Sequence, residues 1–488
     1  MAPELLFKIL LVLPWLVAAL LPLVNKYPNV REAVTIAGAI GLLLCVVNLY
    51  PYSLTSPSIT LEGFALFAGV ALKFQLEPLG MLFLCVVSLL WIANSAYSIG
   101  YLRKNAETNQ TRFYVFFAIA IGTTVGIASA GNLATLFLFY ELLTLSTYPL
   151  VTHKQTAAAR KSGRIYLGYL LGSSITLFLL AVIWTWQLAG TLDFHLGGIL
   201  TQTTDTTALS VLLCLYLFGI GKAAVMPLHP WLPAAMVAPT PVSALLHAVA
   251  VVKAGVFTFL KVVLYIFGYE KIAQLPITEY LVYVTGFSII AASVLALQQD
   301  QLKLRLAYST VSQLSYILMA ALIHAPLAIL AACLHLVVHA FGKITLFFTA
   351  GAIYTVTHKT KISELQGVAY HLPWTMAAFT VGALVMVGLP LTGGFVSKWY
   401  LLNGAFQAQA WFVIGVITLS TLLNAAYFAP IVYLACTRAK TPPVYTAQEA
   451  PLPMLIALLA TAGFALALFF YATPFLILGQ ALLLPGPR

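Results

Sequence analysis

Apolar runs long enough to cross a lipid bilayer recur from one end of this chain to the other, and charged residues are nearly absent from them. About 20 apolar residues in a helix span the roughly 30 Å hydrocarbon core. Backbone groups in hydrocarbon have no water to bond, so such runs must be helices that satisfy themselves internally. Only 8% of the 488 residues are charged, against about a quarter in soluble domains. No stretch is long and polar enough to form a separate soluble domain. The expected fold class is therefore an all-α polytopic membrane protein with about fourteen transmembrane helices. The spans fall near 5–24, 33–51, 76–100, 113–130, 132–150, 163–188, 207–238, 240–268, 277–297, 304–323, 326–356, 373–408, 411–436 and 451–474. The first run lacks a small-residue cleavage site and reads as a helix rather than a signal peptide.

The net charge of +11 would point to nucleic acid in a soluble protein. Here the basic residues sit in short connections, so membrane topology accounts for them and no nucleic-acid partner is expected. With the N-terminus outside, fifteen of the 24 lysines and arginines fall in inward loops, among them Arg103, Lys104, Arg112, Lys154, Arg438 and Lys440. Lys73, Lys271 and Arg488 fall outside, and Lys8 and Lys261 lie near outer helix ends, where long side chains can reach the interface. This bias predicts both termini on the outer side of the inner (cytoplasmic) membrane of a cell. The five cysteines are scattered singly, which indicates neither a disulfide framework nor a metal site.

Two spans carry internal breaks. The seventh contains Met226-Pro227-Leu228-His229-Pro230-Trp231-Leu232-Pro233 and the twelfth contains Leu389-Pro390-Leu391-Thr392-Gly393-Gly394. Proline removes a helical donor and clashes with the preceding turn. Non-helical backbone at membrane depth is tolerated only where protein or water covers it, so broken helices mark a translocation path. The eleventh span is long and a bend is expected there as well. Five spans separate the two breaks, an odd number, so the units around them would be inverted repeats.

Four lysines (Lys222, Lys253, Lys343 and Lys398) and Glu141 lie inside spans. Each charge costs about 2.5–3.5 kcal/mol at the bilayer centre on insertion scales. Pairing, hydration or neutralisation must offset that cost, and a lysine that exchanges its proton is what a proton relay needs. Glu141 reads as a structural ion pair or as a carboxylate that modulates a nearby lysine. Lys222 precedes the first break and Lys398 follows the second. Lys253 shares the eighth span with His247, six residues and about 9 Å away. His335, His339 and Lys343 recur every four residues and so share one face of the eleventh span. His229 sits in the first break, where it would connect Lys222 to water. No catalytic, cofactor-binding or metal-binding motif is recognisable: Gly219 and Gly221 lack a third glycine and a strand, and Gly342-Lys343 lacks the upstream glycine of a phosphate loop. The chain itself is expected to use no cofactor and to perform neither redox nor hydrolytic chemistry, even within an ion-translocating oxidoreductase.

The segment from Lys222 through Met226-Pro227-Leu228-His229-Pro230-Trp231 and Pro239-Thr240-Pro241-Val242-Ser243-Ala244-Leu245-Leu246-His247 to Lys253-Ala254-Gly255 resembles the core of the antiporter-like subunits. These subunits occur in Mrp-type cation/proton antiporters, respiratory complex I and membrane-bound hydrogenases. Asp300 to Tyr316, His335 to Lys343 and Gly393 to Lys398 are similar to the family's tenth, eleventh and twelfth helices. The resemblance implies two inverted five-helix bundles, helices 4–8 and 9–13. The corresponding divisions are 1–111, 112–270, 271–440 and 441–488. It also implies a polar axis through Glu141, Lys222, Lys253, His335, His339, Lys343 and Lys398, with Glu141 and Lys222 as a coupled ion pair. Length matches the D-type Mrp subunit, whereas the Pro239 to His247 stretch resembles the large A-type subunit or the distal complex I subunit. Three functions remain open on these grounds. One is proton translocation within a multi-subunit cation/proton antiporter that exchanges protons for sodium or potassium. The second is a pumping subunit of a complex I-like NADH dehydrogenase or hydrogenase. The third is a stand-alone proton-coupled transporter of a small solute. The first two imply other membrane subunits as partners.

Overall fold

A computed structural model describes residues 2–55, 58–67, 69–437 and 449–483. Arg438, Lys440 and Arg488, whose charges bear on the expected topology, lie outside the described residues. Helices α1 (Pro3–Leu20), α2 (Pro28–Leu49), α3 (Pro78–Lys104), α4 (Gln110–Ala128) and α5 (Leu133–Val151) open the chain. Between α2 and α3 lies an antiparallel hairpin, β1 (Thr60–Phe67) and β2 (Val70–Gln75), which the hydropathy pattern does not foretell. The sixth crossing is α6 (Ala157–Ser173), which continues through a π-helical turn, Ser174–Phe178, into α7 (Leu179–Ala189).

The seventh crossing is broken, as the prolines require. Helix α8 (Thr206–Gly219) ends, a short 3-10 turn spans Gly221–Ala223, and α9 (Trp231–Ala234) resumes beyond an irregular stretch. The eighth crossing, expected to be a plain helix, is segmented. It consists of α10 (Thr240–Ala244), a π-helical turn at Leu245–Val249, α11 (Val251–Lys261) and a second π-helical turn at Val262–Phe267. After the short α12 (Tyr269–Ala273) come α13 (Ile277–Gln298), α14 (Leu302–Leu322) and α15 (Pro326–Thr357). Helix α15 is one unbroken element of 32 residues. The twelfth crossing is broken between α16 (Pro373–Val387) and α17 (Gly393–Gln407). Helices α18 (Trp411–Cys436), α19 (Leu452–Phe470) and the short α20 (Thr473–Ala481) complete the described chain.

Among the described residues, eleven helices are long and apolar enough to cross a membrane. Helix α14 and the two broken crossings supply the remaining passages of the expected fourteen. Burial sorts these crossings by position. The α10–α11 crossing is wholly buried and α15 almost so, whereas α1 keeps most of its surface at the periphery. The core therefore lies around the eighth and eleventh crossings, and the charges expected inside the membrane sit there. Five passages separate the two breaks, so the broken crossings run in opposite directions.

Direction along the chain also fixes two faces. The hairpin, the N-terminal end of α3 and the loop 190–205 lie on one face. The α4–α3 connection, the 152–156 loop and the starts of α10 and α14 lie on the other.

Candidate functional site: a buried line of lysines and histidines

Lys222 lies within the first break rather than ahead of it. Its ammonium donates to the Tyr140 carbonyl at 2.7 Å and the Thr144 hydroxyl at 2.6 Å, and stands 3.2 Å from the centre of the Tyr140 ring. All three contacts come from α5. The residue after the 3-10 turn, Ala224, has φ +55°, the left-handed region that disfavours a Cβ. Leu391 in the second break has φ +69°. Strained non-glycine backbone of this kind persists where surrounding structure over-determines it, and Ala224 lies two residues from the buried Lys222.

Glu141 occupies the same stretch of α5, between Tyr140 and Thr144. The expected direct ion pair with Lys222 is not formed. The lysine takes a carbonyl and a hydroxyl, and both Glu141 carboxylate oxygens are buried without a hydrogen-bond partner among the described residues. Leu138 and Leu145, on the same side of α5, are exposed.

Lys253, fully buried on α11, contacts His339 Nδ1 at 2.5 Å. The link from the eighth to the eleventh crossing therefore runs through His339, the second histidine of the α15 stripe. His335 lies one turn away, with ring centres 6.0 Å apart. Its Nδ1 meets the Ser397 hydroxyl at 3.0 Å and its Nε2 meets Gln313 Oε1 at 3.1 Å. Ser397 is the neighbour of Lys398, whose ammonium donates to the carbonyls of Val387 at 2.8 Å and Met386 at 3.1 Å and to the Thr421 hydroxyl at 3.2 Å. Those two carbonyls are the last of α16, left without helical partners where the helix stops. The break thus creates the acceptors that hold the charge. Gly388, at φ +83°, supplies the left-handed residue that ends α16 there.

Lys343 leaves this line on a branch of its own. Its ammonium donates to the Ser309 hydroxyl at 2.6 Å, and Ser309 lies 2.8 Å from the Tyr427 hydroxyl, which bonds Asn424. His247, placed by the first π-helical turn of the eighth crossing, meets the Thr310 hydroxyl at 3.1 Å. It does not reach Lys253 along its own helix. His229 stands half-buried against Tyr308, with ring centres 6.2 Å apart, rather than against Lys222. The structure thus joins Lys253, His339, His335 and the Lys398 region. Lys222 with Glu141, and Lys343 with His247, form two flanking groups.

On the face opposite the hairpin, a cavity of about 320 Å³ opens between Tyr101, Lys154, Thr240, Lys303, Tyr354 and Lys359. Thr240 and Lys303 begin the crossings that carry His247 and Thr310, so the cavity lies above the His247–Lys343 branch. Glu107 sits at its edge, 4.0 Å from Lys154. Burial pushes the Glu107 carboxyl up, while Lys154 and Lys303 draw it back.

The hydroxyl and amide groups that connect the charges, Thr144, Ser309, Thr310, Gln313, Ser397 and Thr421, were not anticipated from sequence. Lys261 also departs from expectation. Its side chain is fully buried within the protein in an ion pair with Glu77. A glutamate 184 residues away gives no local signal, so only the three-dimensional packing reveals the pair.

Residues 130–424 match the family model described as NADH:quinone oxidoreductase/Mrp antiporter, TM. This chain belongs to that family. The match covers both breaks and every residue of the line. NADH-quinone oxidoreductase subunit N of Desulforudis audaxviator is 32% identical over 387 residues, covering 78% of this chain and 76% of the relative. The A subunit of the Na(+)/H(+) antiporter of Alkalihalophilus pseudofirmus is 29% identical over 486 residues, covering 91% of this chain and 58% of the relative. The chain thus spans about three quarters of one relative and under three fifths of the other. A chain in the solved Mrp complex from Dietzia sp. DQ12-45-1b superposes with a TM-score of 0.85 at 22% identity, covering 99% of this chain and 97% of that one. That likeness bears on the fold. Together these findings establish a multi-pass antiporter-like membrane subunit.

Proposed function

We propose that this chain is the proton-translocating subunit of a multi-subunit monovalent cation/proton antiporter. Protons pass along Glu141, Lys222, Lys253, His339, His335 and Lys398, with Lys343 and His247 feeding the line from the cavity face and His229 as an auxiliary group beside the first break. The observation that carries this reading is the 2.5 Å contact between the fully buried Lys253 and His339 side chains. From Lys253 through His339 and His335 to Ser397, beside Lys398, the line consists of groups that gain and lose protons and a hydroxyl that can pass them on. Polar groups here are strung out in single file rather than gathered around one cavity, which favours ion transfer over binding of an organic solute. Sodium or potassium is the proposed counter-ion. Other membrane subunits are the proposed partners, with Glu141 turned toward the side of α5 where one would dock. The two inverted bundles span 112–270 and 271–440, flanked by 1–111 and 441–488, and both termini face outward from the cytoplasmic membrane.

One specific observation favours a second reading. The match to a NADH-quinone oxidoreductase subunit covers three quarters of that relative, so a redox-driven pump is the alternative parent complex. Purification from native membrane in mild detergent decides between them. Small hydrophobic partners without redox centres support the antiporter. Iron–sulfur or hydrogenase subunits support the pump and overturn the antiporter assignment.

A further inference from the structure

The ion pair of Lys261 and Glu77 stands apart from the line and has no part in it so far. Lys261 is the last residue of α11 and Glu77 immediately precedes α3. Their side chains are 0% and 5% exposed. The Lys261 ammonium lies 4.4 Å from the centre of the Phe194 ring and 4.7 Å from that of Tyr265. A buried ion pair contributes little net stability, because desolvating two charges offsets their attraction. Similar-sized apolar residues would hold these helices as well, so the charges call for another explanation.

Three features supply one. Lys253 sits on the same helix, eight residues and about 12 Å back toward the membrane centre. Between the two lysines, the Thr258 hydroxyl is buried and has no partner among the described residues, and Glu77 Oε2 is likewise buried and unpartnered. The pair also lies directly beneath a cap on the hairpin face. Phe194 belongs to the loop that crosses the end of the eighth crossing, where Gly197 and Ile199 donate to the carbonyls of Leu264 and Ile266 at 3.1 and 2.9 Å. Those carbonyls belong to the second π-helical turn, immediately after Lys261. Asp193, next to Phe194, holds the loop to the hairpin through Lys73 at 2.6 Å.

We propose that Lys261 and Glu77 form a proton release station on the hairpin face, an outlet for Lys253 separate from the Lys398 end, covered by Phe194. This rests on the proton-translocating reading above. Lys261 hands a proton to Glu77, breaking an N–H bond and forming a carboxyl O–H bond, so both groups become neutral. Glu77 then loses that proton to the aqueous side. Lys261 regains one from the Lys253 ammonium by way of the Thr258 hydroxyl and bridging waters. One proton moves from Lys253 to the outer solution, and the ion pair is restored.

Lys261→Arg separates this from a structural pair, because arginine keeps the ion pair but does not release its proton. The assembled complex is tested in native membrane vesicles, with proton flux followed by a pH-sensitive dye. The double variant Lys261→Met/Glu77→Gln accompanies it, should arginine not be accommodated, and Lys222→Ala serves as reference. Flux in assembled Lys261→Arg is expected to fall to about half or less of wild type, as loss of one of two outlets requires, with the double variant behaving alike. Wild-type flux in either assembled variant, with Lys222→Ala inactive, overturns the release station and leaves the proton line standing. Wild-type flux in Lys222→Ala overturns the underlying reading, and the station with it.

Discussion

His339→Leu is the substitution from which most follows. His339 is the only contact seen between Lys253 and the rest of the line among the described residues, at 2.5 Å, and its ring centre lies 6.0 Å from that of His335. Proton transfer needs heavy atoms within about 2.6–3.2 Å, or one bridging water. Removing the imidazole leaves Lys253 facing His335 across more than one such step. Leucine fills much of the vacated space and offers no hydrogen bond to a water. A positioned acid–base group contributes about 10²–10⁴-fold to a transfer, so passage from Lys253 to the Lys398 end is expected to slow at least ~100-fold, and total flux to fall to about half, carried by the Lys261 outlet. The same change strips a partner from a fully buried ammonium, at a cost of about 1–3 kcal/mol. His339→Gln dissects the two effects. Glutamine can accept from Lys253 and so restores stability, but it does not relay a proton, and flux stays low. The assay is dye-monitored proton uptake in everted vesicles, with assembly checked on native gels. Wild-type flux in assembled His339→Leu would refute the reasoning.

Lys222→Ala and Glu141→Ala are each expected to abolish transport while expression and assembly stay near normal, since neither pairs directly with the other; normal flux in correctly inserted protein excludes the proposed roles. Thr144→Val removes one of two hydrogen-bond acceptors from the Lys222 ammonium and is expected to cost about 1–3 kcal/mol in thermal unfolding measured in detergent. His153, in the loop after α5, has its imidazole lowered to about 4 by burial and by Arg112. A group lowered from about 6.5 stabilises the fold fully above that pH and loses this contribution as pH falls toward 4. His153→Gln is therefore expected to flatten the acid limb of a stability-versus-pH curve between those values; an unchanged limb excludes His153 as its source.

The crossings, both breaks and the shared face of His335, His339 and Lys343 were legible because each follows from local pattern: apolar length, proline chemistry and helical period. Period gives a face but not the neighbour it meets. That is why the contact from Lys253 fell to His339, and why Lys343 turned to Ser309 instead of continuing the line. Partners such as Gln313 and Ser397 are ordinary polar residues in sequence, and they acquire a role only when α14 and α17 pack against α15. The three π-helical turns, one of which places His247, leave no compositional mark. Nor does the hairpin at 60–75, whose mixed Glu, Gly, Lys and aromatic residues lack clean alternation. Lys261 read as interfacial because its distance from the helix end suited snorkelling, whereas Glu77, brought in by α3, holds it inside.

The most direct test of the central claim is proton flux through the purified complex reconstituted into liposomes, comparing wild type with Lys253→Met after mass spectrometry confirms identical polypeptide composition. A line that runs through Lys253 predicts loss of flux by about 100-fold or more in an intact complex. Undiminished flux in that complex would contradict it.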